Sequence, residues 1–296
     1  QIEAPAKVNL FLHVTGRRAD GFADGYHELE SLFVFTETGD RVTLEKSDHA
    51  ELVLEGKFAA DLKAAGGAGE GNLVFQALFM LAEKTGCSAD VKITLPKNLP
   101  IASGIGGGSA DAAATLLGLL ALWGHAMPAE ELQAVALGLG ADVPACLHTT
   151  PLYVRGIGEH FTAAKLPKVY GILLVNPGAS VSTPAIFGAY AKRPDGVFDT
   201  PIGENLVLPT DHEGFLQYIS AETHNALQRP AEAECAVVKD VLAALGGLDT
   251  ALYSRMSGSG ATCFALFEDG KAAEKASATV KALHPAWWVW ADTLRA

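Results

Sequence analysis

Val8, Leu10, Leu12 and Val14 alternate with Lys7, Asn9, Phe11 and His13. A period of two predicts a strand with the first set facing a core and the second on the opposite face. Apolar runs over 32–35, 42–44 and 52–54 predict further strands. Asn72 is placed to cap a helix that runs through Lys84 and stops at Gly86. Val91, Ile93 and Leu95 alternate again as a strand, after which a glycine-rich loop passes into an Ala/Leu-rich helix starting at about Ser109. Residues 130–139 read as another helix, stopped near Gly140 and followed by a turn over 141–144.

The second half predicts strands over 152–155 and 169–175, a short helix over 184–191, and longer helices over 215–227 and 231–245. Strand-like stretches over 252–256 and 262–267 flank Ser257-Gly258-Ser259-Gly260, and a helix over 271–283 precedes a last strand at 287–290. Residues 192–211, rich in Pro, Gly and Asp, are the most loop-like stretch. No internal repeat or low-complexity segment is visible. Strands and helices that do not alternate regularly predict an α+β protein in two lobes, residues 1–155 and 156–296.

Composition narrows the class. Hydrophobic residues at 49% against 19% charged argue for a packed core over a disordered chain. The longest apolar run, 112–123, is too short for a bilayer span of roughly 20 residues. The first residues lack a basic stretch leading into an apolar one, so no signal peptide is expected. Cys87, Cys146, Cys235 and Cys263 lie far apart with no C-x-x-C pair, which disfavours zinc or a disulfide framework and fits thiols in a reducing cytoplasm. A net charge of −12 disfavours a nucleic-acid groove or an anionic membrane surface as partner. An anionic small molecule then needs locally placed donors.

Those donors are legible. Pro100-Ile101-Ala102-Ser103-Gly104-Ile105-Gly106-Gly107-Gly108-Ser109-Ala110 holds four glycines in five positions, so the backbone can turn its N–H groups toward a ligand without Cβ obstruction. The helix that follows adds unpaired amides and the positive end of its dipole. Together they make a phosphate cradle that works whatever the net charge. It is not the Walker loop, because no lysine stands between Gly108 and Ser109. Nor is it the dinucleotide loop, because Ser109 stands where the third glycine belongs.

Three marks in the right order, Pro5-Ala6-Lys7-Val8-Asn9-Leu10-Phe11-Leu12, the glycine loop, and Ser257-Gly258-Ser259-Gly260-Ala261, resemble the GHMP kinases over nearly the whole chain. More narrowly, Asp20-Gly21, Gly25-Tyr26-His27-Glu28-Leu29, Lys97-Asn98-Leu99-Pro100, Gly140-Ala141-Asp142-Val143-Pro144 and Gly156-Ile157-Gly158-Glu159 resemble one branch of that family. Its alcohol substrate is 4-diphosphocytidyl-2-C-methyl-D-erythritol, in the non-mevalonate isoprenoid pathway. The resemblance implies an N-terminal lobe like the second domain of ribosomal protein S5, a ferredoxin-like C-terminal lobe, and ATP-dependent phosphorylation of the 2-hydroxyl.

By the same resemblance Asp142 is the catalytic base and Lys7 its partner, fitting a carboxylate that takes a hydroxyl proton and an ammonium that offsets phosphoryl charge. Residues 100–110 with Lys97 and Asn72 fall to ATP; Asp111 stands either to approach the accompanying magnesium or as an acidic first-turn residue favoured by the helix dipole. Asn9, Tyr26, His27, Thr183, Gly258, Ser259 and Gly260 fall to the cytidyl substrate, an aromatic ring stacking on the pyrimidine and an imidazole bonding its edge. Two departures stand out: Ala102 and Ser103 occupy positions where relatives carry more glycine, and Phe22 to Gly25 form a short insertion before Tyr26-His27. A homoserine- or mevalonate-type kinase is the alternative, disfavoured because those substrates carry no base for Tyr26 and His27. A nucleotide-binding protein without turnover is a third reading, against which both Lys7 and Asp142 speak.

Overall fold

A computed structural model describes residues 1–19, 25–193 and 196–296. In chain order the elements begin with β1 (Ile2–Arg17), β2 (His27–Lys46), β3 (Glu51–Glu55), α1 (Ala59–Ala64), α2 (Leu73–Thr85) and β4 (Val91–Pro96). Next come α3 (Gly107–Trp123), α4 (Ala129–Leu139), α5 (Val143–Cys146), β5 (Leu152–Gly156), β6 (His160–Ala163), β7 (Gly171–Asn176) and α6 (Thr183–Ala191). The chain ends with α7 (His212–Gln217), a π-helical turn (Tyr218–Glu222), α8 (Gln228–Glu234), α9 (Val237–Gly246), β8 (Tyr253–Met256), β9 (Cys263–Phe267), α10 (Gly270–Leu283) and β10 (Trp288–Thr293). Among the described residues no helix is long and apolar enough to cross a membrane.

The chain forms two compact units that interleave along the sequence. The first takes Gln1–Lys7, Thr38–Ile101 and Gly106–Thr149. In it the end of β2 pairs antiparallel with β4, which pairs parallel with β3. β4 shows the half-buried alternation that its apolar period predicts, with Val91, Ile93 and Leu95 buried. Helix α2 begins at the predicted cap: Asn72 accepts a hydrogen bond from the Val74 amide at 2.9 Å, and Gly86 closes the helix at φ 72°. Helix α3 packs against α2, α4 and α5.

The second unit takes Val8–Glu37, Ala102–Ile105 and Thr150–Ala296. The start of β2 pairs antiparallel with β5, and β5 with β6. A separate antiparallel sheet runs β10-β7-β9-β8. Leu173, Val175, Cys263, Ala265 and Phe267 from it share a core with Val238, Val241 and Leu245 of α9 and Ala273 and Val280 of α10.

The structure extends or corrects several expectations. Both faces of β1 are buried from Ala4 through Val14, so Lys7, Asn9, Phe11 and His13 are enclosed as fully as the apolar set. The runs at 32–35 and 42–44 belong to one strand of 20 residues, β2, whose polar middle includes the buried Thr36 and Asp40. The helix expected over 215–227 instead ends in a π turn. There the Ile219 carbonyl accepts from Arg255, Thr223 and Tyr253 side chains at 3.0, 2.6 and 3.2 Å, which draws it out of the α-helical ladder.

Gly39 lets β1 and β2 come together: a Cβ built there would lie 2.1 Å from the Ala4 carbonyl oxygen. Gly39→Ala therefore requires a backbone shift and is expected to cost about 3 kcal/mol. Urea unfolding checks this as a lowered midpoint at unchanged slope; an unchanged midpoint would show that the strands part freely.

Candidate active site

Lys7 lies in β1, and Asp142 immediately precedes α5, whose Pro144 suits a helix first turn. The Lys7 ammonium stands 3.0 Å from Asp142 Oδ2. Lys7 is 5% exposed and Asp142 36%, so the carboxylate keeps one side open to a ligand. Gly106 adopts φ 61°, and a Cβ there would lie 3.0 Å from Lys7 Cε. Glycine at this position is what lets the start of α3 rest against the Lys7 stem. The first unit thus brings together the two residues expected to do the chemistry and the exit of the glycine loop.

Helix α3 begins at Gly107, two residues before the expected start, because Gly106 in the left-handed region takes the cap position. Ser109 consequently sits inside the first turn and is not the cap. A glycine cap supplies no side-chain acceptor, so Gly106 leaves the first-turn amides at the positive end of the helix without a side-chain cap. That is the geometry of an anion site.

Beneath this turn lies a buried ionic triad. Lys97 Nζ is 2.5 Å from Asp40 Oδ2 and 2.6 Å from Asp111 Oδ2, with all three side chains at most 3% exposed. Asp40 Oδ1 also accepts from the Asn98 and Leu99 amides, at 2.5 and 3.0 Å. A Cβ on Gly107 would come within 3.0 Å of Lys97 Nζ. Asn72, expected near ATP, uses its amide to cap α2 and to donate to the Gly67 carbonyl at 2.7 Å. Burial alone would lower the Lys97 ammonium, but the Asp111 and Asp40 carboxylates outweigh it and hold the group above its ordinary range. Burial pushes the Asp111 carboxyl up to about 7, Lys97 opposing the rise and Asp40 adding to it. Among the described residues Asp111 Oδ1 has no hydrogen-bond partner.

In the second unit the early glycine loop meets the Ser-Gly-Ser-Gly loop, which also serves as the connection between β8 and β9. A Cβ on Gly104 (φ 78°) would lie 2.4 Å from the Ser257 carbonyl oxygen. Ser257 Oγ donates to the Gly104 carbonyl at 2.8 Å and accepts from the Asn9 amide at 3.1 Å. The Thr262 amide donates to the Ser103 carbonyl at 3.1 Å. Asn9 donates from its side chain to Ser31 Oγ at 2.8 Å, and the Thr183 and Ser259 hydroxyls share a hydrogen bond at 2.7 Å. Asn225 ties the loop down by donating to the Met256 and Gly258 carbonyls, each at 2.8 Å. Ala102 adopts φ 46°, a conformation that costs an L-residue and that glycine takes freely.

The His27 ring stacks on Phe187 with centroids 5.0 Å apart and meets Tyr190 edge-on at 5.7 Å. Burial holds its imidazole below the ordinary range, with the Arg17 and Arg193 charges adding to the effect. Tyr26 is 60% exposed. Asp20-Gly21 and Phe22 to Asp24 lie outside the described residues. Sequence reasoning missed Asp40, Ser31, Phe187 and Asn225. Only Asp40 carried a signal, an aspartate between apolar strand runs.

The raised Asp111 value has a consequence for stability. The native carboxyl keeps its proton where the unfolded chain, near 3.8, has lost it. Stability from this source is complete below about pH 4 and is lost as pH rises through about 7. In Asp111→Asn the loss disappears, so the Tm difference, variant minus wild type, should grow by several degrees from about pH 5 to pH 8, at about 2–4 °C per kcal/mol. Thermal melts across that range check it, and a flat difference would mean that Asp111 does not titrate there.

Comparison with known proteins finds relatives over nearly the whole chain. The GHMP kinases N terminal domain matches residues 72–150, and the GHMP kinases C terminal domain residues 204–286. A 4-diphosphocytidyl-2-C-methyl-D-erythritol kinase from Rhizobium meliloti is 47% identical over 97% of this chain and 93% of its own. One from Paramagnetospirillum magneticum is 44% identical over 97% and 96%. The crystal structure of a 4-(cytidine 5'-diphospho)-2C-methyl-D-erythritol kinase superposes with a TM-score of 0.77 at 33% identity, covering 99% of this chain and 98% of that one. Homoserine kinase from Cytophaga hutchinsonii shares the fold, with a TM-score of 0.67 at 19% identity over 99% of this chain and 96% of its own. Identity at this level across nearly the full length makes the chain a member of the GHMP kinases, in the 4-diphosphocytidyl-2-C-methyl-D-erythritol kinase family.

Proposed function

We propose that the protein transfers the γ-phosphoryl group of ATP to the 2-hydroxyl of 4-diphosphocytidyl-2-C-methyl-D-erythritol, in the non-mevalonate route to isoprenoid precursors. The observation that carries the mechanism is the Lys7–Asp142 pair at 3.0 Å. Asp142 takes the hydroxyl proton as the new oxygen–phosphorus bond forms and the bond to the ADP oxygen breaks. Lys7 offsets charge on the transferring group. Residues 100–110 hold the ATP phosphates through backbone amides, with Lys97 and Asn72 placed beside the nucleotide. Asn9, Thr183, Gly258, Ser259 and Gly260 hold the methylerythritol diphosphate, while Tyr26 and His27 read the cytosine. The stack of His27 on Phe187 supports that last assignment, since it already forms an aromatic platform.

Magnesium fits as a companion of the nucleotide. Among the described residues no group of three His, Cys, Asp or Glu is arranged for a metal, and Asp111 offers one unpartnered oxygen. An ion held mainly by phosphates is the usual magnesium arrangement and would neutralise phosphate charge. Four free cysteines agree with a reducing cytoplasm.

Asp142→Asn keeps the shape but cannot accept the proton. Its kcat should fall by roughly 10²–10⁴-fold, with both substrate affinities within a few-fold. Lys7→Met should also lower kcat, and the double variant should lose less than the sum. Quench-flow single turnovers isolate the transfer step, and a near wild-type rate in folded Asp142→Asn would remove the residue from the mechanism.

The phosphate cradle is best tested at Gly108. Gly107 is buried against Lys97, whereas Gly108 is exposed and a Cβ there meets only Leu73, at 3.7 Å. Gly108→Val should weaken ADP by about tenfold or more with little change in Tm, because a branched chain then crowds amides that must meet phosphate. Calorimetric titration with ADP reads this, and unchanged affinity would move the phosphate site elsewhere.

A further inference from the structure

Asp40 is a costly residue. Aspartate is depleted in strands, and this one is fully buried within β2. A buried carboxylate persists only when it is fully matched, and packing alone would be served as well by an apolar side chain. Its three donors come from three consecutive residues: the Lys97 ammonium at 2.5 Å and the Asn98 and Leu99 amides at 2.5 and 3.0 Å. Asp40 therefore grips one stretch of chain, the entry to the glycine loop just before Pro100. Lys97 then reaches across to Asp111 at 2.6 Å, in the second turn of α3, just past the loop's exit. Entry and exit are tied together by one ammonium, and both are tied to β2 by one carboxylate.

We propose that Asp40 is a positioning residue for phosphoryl transfer, setting the shape of the glycine loop through Lys97, Asn98 and Leu99. Its complete burial keeps it from touching the nucleotide, so it acts only through the loop backbone. This rests on the assignment of that loop to ATP.

The test is Asp40→Asn in the full chain, titrated with ADP in EDTA so that no metal contributes, alongside steady-state kinetics. Asparagine can still accept from both amides, but it presents no charge to Lys97. ADP should bind about tenfold weaker, and kcat/KM for ATP should fall about tenfold to a hundredfold, the scale of a small misplacement of reacting groups. KM for the cytidyl substrate should stay within about twofold, a split that general destabilisation does not produce. Folded Asp40→Asn with wild-type ADP affinity and only a lowered Tm overturns the proposal. Should that variant not fold, Asp111→Asn carries the same test, since it frees the loop exit and keeps one carboxylate on Lys97. Weaker ADP binding supports the tie, and unchanged binding overturns it. Wild-type affinity in both Asp40→Asn and Gly108→Val overturns the loop assignment itself. Loss in Gly108→Val alone leaves that assignment standing and removes only Asp40.

Discussion

An ammonium taken out of water has to be met by negative charge at close range, and Lys97 is met twice. Much of the first unit follows from that requirement. Asp40 must stand in the interior of a strand, Asp111 must point inward from α3, and position 107 must lack a side chain. Burial, with the Asp40 charge adding to it and Lys97 opposing, is why the Asp111 proton is held more tightly than in water. The arrangement stabilises a loop that could not hold itself, since four glycines in five residues carry a large conformational entropy.

The second unit meets a different demand with the same residue type. Two backbone segments, 102–105 and 257–260, approach too closely for a Cβ at Gly104. Small hydroxyl and amide side chains then satisfy the polar backbone that results. Ser257 bridges the Gly104 carbonyl and the Asn9 amide, and Asn225 takes two carbonyls of the opposite loop. A chain of net charge −12 has to meet a polyanionic nucleotide with local donors. In the proposed reading the donors are backbone amides of the glycine loop, and a general positive field is not required.

The role proposed for Lys7 and Asp142 sets a further demand. A base is useful only if the phosphoryl group arrives in line with the hydroxyl it activates. The aromatic group of His27, Phe187 and Tyr190 is of the same kind, a rigid surface fixed by packing before any ligand binds.

Much of this was legible in the sequence because it is encoded locally. The Asn72 cap and Gly86 stop of α2, the alternation in β4, and the glycine loop running into α3 are each written within a few residues, the range over which helix and strand periods and caps operate. The motifs carrying Lys7, Asp142 and Ser257 to Gly260 were likewise readable as motifs. The start of α3 was misplaced by two residues because a left-handed glycine can cap a helix as a serine does, and only the backbone conformation distinguishes them. Strand β2 looked like separate pieces because its polar middle is buried for reasons that lie elsewhere in the chain. Lys97 meets Asp40 across 57 positions, Phe187 meets His27 from a different element, and Ser257 meets Asn9 across 248 positions. Pairings at that range leave no spacing in the sequence. The residue types and their local order determined which chemistry the chain could perform, and tertiary packing alone decided which buried partners hold those residues in place.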